Sequence, residues 1–196
     1  MEVRALTGDA LDAALDDVAR LRIEVFRDWP YLYDGDLEYE RSYLQAYRDS
    51  DRAILVGAFD GVKLVGASTG TPLAEHADDF SAAFDGQPYD LNAIFYCAES
   101  VLLPRYRGQG IGHRFFDLRE AHARDLGFLF SAFCGVVRPV DHPARPECYR
   151  PLDAFWHARG YAPLEGAVAL FSWKDLGEAE ETRKPLQFWI RSLSED

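Results

Sequence analysis

Residues 103–113 read LPRYRGQGIGH, and their glycine spacing is the most informative pattern in the chain. Gly108, Gly110 and Gly112 occupy alternate positions where an apolar run gives way to an amphipathic segment. Because glycine lacks a Cβ, the backbone N–H groups can converge there on an anion at the positive end of a helix dipole. The stretch therefore predicts a strand that runs into a helix, with a phosphate or pyrophosphate held between Arg107 and His113. A tight, well-packed turn is the alternative interpretation.

The residues on either side supply the strand and the helix. Residues 93–103 are mostly apolar and predict one long strand. Apolar residues at helical spacing follow from Ile111, and Gly127 is the expected C-cap. Residues 128–133 form another short apolar run, so the strand–helix–strand order predicts a right-handed parallel crossover.

The rest of the chain adds helices and strands around this unit. A short strand at 3–6 precedes a helix that is capped by Asp9 and ends before Pro30. Further expected elements are a tyrosine-rich helix, a hairpin of 53–59 and 62–68 around Asp60-Gly61, a helix from Pro151 to Gly160, and strands at 167–173 and 186–191. This order predicts an α/β (α+β) fold, one domain over residues 1–196, with a mixed, mostly antiparallel sheet of about seven strands and helices on both faces.

Composition narrows the class of function. The formal charge of −12 argues against binding to nucleic acid, which requires a surplus of Lys and Arg. Three scattered cysteines, Cys97, Cys134 and Cys148, have no spacing for zinc and indicate a reducing compartment. The sequence has no apolar run long enough for a membrane span, so we expect a cytoplasmic protein without a metal site or a membrane partner.

Two well-known glycine loops do not fit. A P-loop needs Lys followed by Ser or Thr after its last glycine, whereas this chain has His113-Arg114. A dinucleotide fingerprint has a different glycine spacing and lies early in a βαβ unit. The remaining pattern, Arg105-x-x-Gly108-x-Gly110 after a long strand, resembles the GCN5-related N-acetyltransferase (GNAT) family. The order of elements over nearly the whole chain, and residues 154–161, resemble the same family.

This resemblance implies an acetyl-CoA-dependent N-acetyltransferase that moves an acetyl group directly to a primary amine of a small molecule. It implies that acetyl-CoA, the co-substrate, lies against the strand before the glycine loop. Its pantetheine would bond to main chain at Ser100, Val101 and Leu102, and its pyrophosphate would lie on Arg107, Gly108, Gln109, Gly110, Ile111, Gly112 and His113. A main-chain N–H near Leu102 would stabilise the oxyanion if the strand carries the family's bulge there.

Two residues are candidates for proton transfer. Strand alternation places Glu99 among apolar neighbours, and the family often has a Glu base on this strand, so Glu99 is the candidate base. A structural ion pair with an arginine is the alternative interpretation. Many relatives carry an acidic Tyr where this chain has Trp156, and an indole N–H cannot protonate a thiolate. Tyr161 is the nearby candidate acid, with core packing as its alternative.

Two loops, 28–36 and 137–150, are candidates for the acceptor site. Trp29, Tyr31 and Tyr33 would form an aromatic wall for an ammonium group, although core packing explains them equally well. Arg138 and Arg145 would bind a carboxylate or phosphate, which suggests a zwitterionic acceptor. The C-terminal segment 174–196 is a candidate homodimer interface.

Other functions stay open at this point. The chain could be an acyltransferase that uses a different acyl-CoA or a hydroxyl acceptor, a non-catalytic CoA-binding sensor or interaction module, or another kind of nucleotide-binding protein. The loss of the acidic Tyr at Trp156 favours the sensor among these.

Overall fold

The computed structural model describes residues 1–194 and contains, within them, eight strands and five α-helices. The strands are β1 (Glu2–Leu6), β2 (Ile54–Asp60), β3 (Lys63–Pro72), β4 (Ile94–Tyr96), β5 (Ser100–Leu102), β6 (Phe130–Val136), β7 (Ala162–Lys174) and β8 (Glu181–Ser192). The helices are α1 (Asp9–Phe26), α2 (Leu37–Asp49), α3 (Ala77–Phe80), α4 (Ile111–Asp125) and α5 (Asp153–Ala158).

All eight strands form one sheet in the order β1-β2-β3-β4-β6-β8-β7, and β5 also pairs with β3. The neighbours are antiparallel except for β4 and β6, which are parallel and joined through α4. The predicted mixed, mostly antiparallel sheet is therefore confirmed. It has one strand more than expected because the long strand predicted at 93–103 is divided into β4 and β5.

Helices cover the middle of the sheet. The first five residues of β2, starting at Ile54, are all buried, although successive side chains of a strand point to opposite faces. Both faces of β2 are therefore covered. The helix α4 contacts β1, β2 and β3, whereas α1 contacts β3 and β5. Together these helices position the glycine loop and the divided strand.

Three boundaries differ from the sequence predictions. Gly8, not Asp9, caps α1; Asp9 is the first helical residue, and no side chain caps this end. The strands β7 and β8 are longer than predicted because they form one extended hairpin, and β8 lies between β6 and β7. The proposed interface segment 174–196 thus supplies an internal strand, and its last two residues lie outside the described part. Among residues 1–194, no helix is both long and apolar enough to cross a membrane.

Candidate active site

The division between β4 and β5 is a β-bulge opposite Thr69. The Thr69 N–H donates to the Glu99 carbonyl (3.1 Å), but the Thr69 carbonyl accepts from the Ala98 N–H (3.1 Å). One residue of β3 therefore faces two residues of the other chain segment, which defines a bulge. The bulge lies at residues 97–99, before Leu102 rather than at it, since Leu102 pairs in register with Gly66.

The bulge separates β5 from β6. The strand β4 pairs with β6, and the last bond of this ladder runs from the Cys97 N–H to the Ala132 carbonyl (2.8 Å). Beyond it β5 pairs only with β3. The Leu103 N–H donates to the Val65 carbonyl of β3 (3.0 Å). Because successive N–H groups of an antiparallel strand point to opposite sides, the N–H groups of Ser100 and Leu102 point away from β3. Their polar groups face the opening between β5 and β6, whereas Val101 bonds to β3 and its side chain is buried in the core.

The glycine loop presents free N–H groups at the start of α4. Gly108 and Gly110 have φ angles of 75° and 78°, in the left-handed region that side chains rarely adopt. No atom lies within 4 Å of the position that a Cβ would occupy at either residue. The first N–H that bonds within the helix is that of Arg114, which donates to Gly110 (3.3 Å). The preceding N–H groups of this segment can therefore bind an anion.

The other predicted residues of the cofactor site are placed around this loop. The Arg107 Nε donates to the Leu102 carbonyl (3.1 Å), which holds the exposed guanidinium beside the strand opening. Ile111 is buried and can contribute only its main chain, and the His113 ring packs on Phe155 (4.9 Å between centroids). The exposed Gln109 side chain donates back to the Arg105 carbonyl (3.4 Å).

A cavity of about 1200 Å³ begins at this opening and extends below the acceptor loops. Its walls include four of the predicted cofactor residues, Ser100, Leu102, Arg107 and Gly112. The further walls include Glu99 and all five predicted acceptor residues, Trp29, Tyr31, Tyr33, Arg138 and Arg145. The structure thus brings together two sets of residues that are far apart in sequence. Within residues 1–194, no cluster of three or more His, Cys, Asp or Glu is placed to hold a metal ion.

Glu99 belongs to a buried charge cluster that sequence reasoning missed. Its Oε2 atom forms an ion pair with Arg22 (2.8 Å) and accepts a hydrogen bond from the Tyr43 hydroxyl (3.2 Å), and Arg22 also binds the fully buried Glu40. Burial alone would lower the pKa of Arg22, but the charges of Glu99 and Glu40, and the neighbouring Tyr43, outweigh it and raise that pKa. The formal charges of the cluster of Arg22, Glu40 and Glu99 sum to −1.

The ion pair with Arg22 is the alternative that we considered for Glu99, and it is present. One carboxylate oxygen is thereby engaged, while Oε1 is buried without a hydrogen-bond partner among residues 1–194. Glu99 is only 5% exposed and lines the cavity. Its role as general base stays a prediction, and its free oxygen suits a cationic ligand.

Arg119 on α4 is a second residue that the sequence did not reveal. Its buried guanidinium donates to the carbonyls of Thr69 (3.1 Å) and Glu99 (3.3 Å) and to the Ser100 hydroxyl (3.0 Å). It thus binds both sides of the bulge. Both carbonyls also accept a backbone N–H, so Arg119 adds a second hydrogen bond to each and ties α4 to the bulge that exposes the edge of β5.

Arg138 forms a buried ion pair, and its part in acceptor binding stays a prediction. Its guanidinium binds both oxygens of Asp175 (2.7 and 2.9 Å) and the carbonyls of Pro30 and Tyr31 (2.8 and 2.7 Å). The side chain is 8% exposed, and these bonds use four of its five N–H groups. Arg138 therefore fixes the 28–36 loop to the end of β7.

The remaining acceptor residues lie where the two loops meet. The Trp29 ring packs on His142 (5.1 Å) and on Tyr149 (5.9 Å), so that the 28–36 and 137–150 loops contact each other. Tyr31 packs on Trp173 (5.9 Å), and burial raises its pKa, as it does that of Tyr33. Among residues 1–194 the Arg145 side chain donates only to the Val140 carbonyl (3.2 Å), so it has donors available for an anion.

Tyr161 is packed in the core, as its alternative interpretation proposed, and its role as acid stays a prediction. It is 1% exposed and does not line the cavity. Its hydroxyl bonds to Ser131 (2.7 Å) and Glu120 (3.0 Å), and burial raises its pKa well above the usual value. Trp156 does line the cavity, where it packs on Phe133 (5.0 Å).

Comparison with solved structures gives the same fold at low sequence identity. The chain is similar to ribosomal-protein-alanine N-acetyltransferase from Brucella melitensis (TM-score 0.61, 14% identity, 98% of this chain and 99% of that one). It is also similar to an aminoglycoside 6'-N-acetyltransferase solved with coenzyme A (TM-score 0.64, 15% identity, 100% and 99%). A protein from Salmonella typhimurium solved with its cofactor acetyl-CoA is a third (TM-score 0.58, 12% identity, 99% and 95%). No curated protein matches at a significant level.

A family model identifies the group. The model described as the acetyltransferase (GNAT) family matches residues 18–150, which include the second half of α1, the bulge, the glycine loop and α4. This match covers more than half of the chain and confirms the resemblance seen in the sequence. The protein therefore belongs to the acetyltransferase (GNAT) family and is an acetyltransferase.

Proposed function

We propose that the chain transfers an acetyl group from acetyl-CoA directly to a primary amine of a small molecule. One observation carries this proposal: a single cavity joins the exposed edge of β5 and the Arg107 side chain to the negatively charged cluster at Glu99. Acetyl-CoA supplies a thioester carbonyl, and the cavity offers room for an amine next to it. The 1–196 chain would act as one catalytic domain.

Residues of this chain fit the parts of acetyl-CoA. The turned-out N–H groups of Ser100 and Leu102 suit the amides of pantetheine, because they have lost their strand partner. The N–H groups from Gly108 to His113 suit the pyrophosphate, and Arg107 adds positive charge beside them. The structures of similar proteins with CoA and acetyl-CoA support this assignment.

The other end of the cavity favours an amine that arrives as a cation. The cluster of Arg22, Glu40 and Glu99 has one negative charge in excess, and burial makes such an excess costly. An ammonium group at Glu99 Oε1 would neutralise it. The aromatic walls at Trp29, Tyr31 and Tyr33 add favourable contacts for a cation.

The closed acceptor end favours a small molecule over a protein. Trp29, His142 and Tyr149 pack together and join the two loops above the cavity. A folded protein would have to separate them to present its own amine. Arg145, which has no carboxylate partner among the ion pairs of residues 1–194, would bind an anionic group of the acceptor.

The proposal is tested by incubating the protein with acetyl-CoA and a panel of small amines, amino acids and short peptides. Thiol release and the mass of the product report transfer. We expect acetylated small amines, with a preference for amines that also carry a carboxylate or phosphate. Binding of CoA without transfer to any amine would favour a non-catalytic sensor, and transfer to hydroxyl groups or from longer acyl-CoA donors would favour a different acyltransferase.

A further inference from the structure

His76 is a further residue of the cavity wall, outside the two acceptor loops. It lies between β3 and β4, immediately before α3, and its ring lines the cavity. The ring packs against Tyr96 (5.6 Å between centroids), Tyr47 (6.0 Å) and Phe80 (6.0 Å). Tyr96 ends β4, so that His76 stands beside the strand that leads into the bulge.

The Nε2 atom of His76 is buried and has no hydrogen-bond partner among residues 1–194. A buried polar atom without a partner costs about 1–3 kcal/mol. Such an atom is rare in folded proteins and is well placed to bond to a ligand. Its position on the cavity wall makes a bound acceptor the natural partner.

The surroundings of the ring favour the neutral imidazole. Burial lowers the pKa of His76 below its usual value of 6.5, and the carboxylates of Asp79, Glu99 and Glu75 counteract this effect only in part. Burial also raises the pKa values of Tyr47 and Tyr96, the titratable residues that pack against the ring, so both are uncharged. At neutral pH the imidazole can therefore accept a proton.

Glu99 has one oxygen atom left for the same ligand. Its Oε2 atom is engaged by Arg22 and Tyr43, whereas Oε1 is buried without a hydrogen-bond partner among residues 1–194. A carboxylate oxygen attracts an ammonium group, so Oε1 is suited to hold the amine. The unpartnered Nε2 atom of His76 and the unpartnered Oε1 atom of Glu99 can therefore take separate parts in the reaction.

We propose that His76 is the general base of the transfer, and that its Nε2 atom takes a proton from the acceptor ammonium while Glu99 Oε1 holds the amine. This inference rests on the proposed function. The neutral amine then forms the amide C–N bond as the thioester C–S bond breaks. The second amine proton goes to the thiolate sulfur, and His76 releases its proton to solvent.

The test is the pH dependence of kcat/KM in the wild type and in His76→Gln, Glu99→Gln and His157→Gln. His157 is exposed, lies outside the cavity and serves as the matched control. In His76→Gln we expect kcat/KM at pH 7 to fall by about 10²–10⁴-fold, the usual contribution of a general base. The loss should shrink as the pH rises, because the amine then loses its proton unaided, and the affinity for acetyl-CoA should not change.

Glu99→Gln should instead raise the acceptor KM and keep the shape of the pH profile. A His76→Gln profile parallel to that of the wild type, with an altered profile in Glu99→Gln, would overturn the assignment and make Glu99 the base. If His76→Gln fails to fold, His76→Ala with added imidazole replaces it, and rescue of turnover by imidazole is expected. No rescue in a folded His76→Ala protein contradicts the proposal. Lack of amine transfer by the wild type would overturn the proposed function itself, whereas transfer with a parallel His76→Gln profile overturns only the role of His76.

Discussion

Substitution of Gly110 by alanine should separate the cost of backbone strain from the loss of cofactor binding. Gly110 has φ 78°, and an added Cβ would meet no atom within 4 Å. The expected penalty is therefore that of a left-handed alanine alone, about 1–2 kcal/mol. For a domain of this size it corresponds to a fall of about 2–8 °C in the melting temperature.

Gly127, at the opposite end of α4, provides the matched control. It has φ 82° and equally open space around the Cβ position, but it lies far along the helix from the glycine loop. Gly127→Ala should lose the same stability as Gly110→Ala. Only Gly110→Ala should weaken the binding of CoA, because its methyl group would enter the space in front of the free N–H groups of the glycine loop.

The expected loss of affinity follows from one hydrogen bond to a charged group. Such a bond contributes about 1.5–3 kcal/mol, which is about 10- to 150-fold in Kd. Isothermal titration with CoA measures this change, and acetyl-pantetheine, which has no pyrophosphate, should bind both variants equally. Equal CoA affinity in Gly110→Ala and Gly127→Ala would refute the assignment of the pyrophosphate to this loop.

Substitutions at four other residues test the buried polar groups. Arg138→Met breaks a buried ion pair, which costs about 3–5 kcal/mol of stability, so the melting temperature should fall by about 6–20 °C. Unchanged stability together with a raised KM for the acceptor would instead show that Arg138 binds the acceptor. Burial acts to raise the pKa of Asp175, but hydrogen bonds from Arg138 and Lys184 outweigh it and lower that pKa. The ion pair between Arg138 and Asp175 therefore stabilises the folded protein fully above the pKa of an unfolded aspartate, about 4. This stabilisation is lost as the pH falls through the lower pKa of Asp175 in the folded protein. The difference in melting temperature between the wild type and Asp175→Asn should therefore disappear below about pH 4. Tyr161→Phe should cost about 1–3 kcal/mol of stability and leave kcat unchanged, whereas a fall of about 100-fold in kcat would make Tyr161 part of proton transfer. Arg22→Met should lower the melting temperature far more than Arg22→Lys, because only methionine leaves two buried carboxylates without a cation; equal melting temperatures would contradict the charge cluster.

Local sequence signals predicted most of the fold. The Asp60-Gly61 pair predicted the hairpin of β2 and β3, and Gly61 has the expected positive φ of 60°. The turn itself is one residue later than predicted, at Gly61-Val62, because Asp60 pairs with Lys63. The glycine loop likewise marked the start of α4. The bulge was not predictable, because it depends on how Thr69 pairs with a distant segment, and the apolar run 93–103 is equally consistent with an unbroken strand.

The charge cluster had a signal that could have been used. Arg22 continues the apolar stripe of α1 that contains Leu11, Leu15 and Val18, and Glu40 lies four residues before the buried Leu44 on α2. A charged residue on a core-facing stripe requires a partner, and it marks a candidate site. The pairing of Arg138 with Asp175 had no comparable signal, because the two residues are 37 positions apart.

Thermal unfolding of the wild-type protein with acetyl-CoA, CoA, NADH and ATP in parallel shows which cofactor the protein binds, and it needs no acceptor. A ligand at 100 times its dissociation constant adds about 2.7 kcal/mol, which raises the melting temperature of a domain of this size by about 5–11 °C. We expect this rise with acetyl-CoA and CoA and none with NADH. A rise in melting temperature with NADH or ATP alone would contradict the assignment of the glycine loop and of the strand opening to acetyl-CoA. The absence of a rise with all four ligands would contradict it equally.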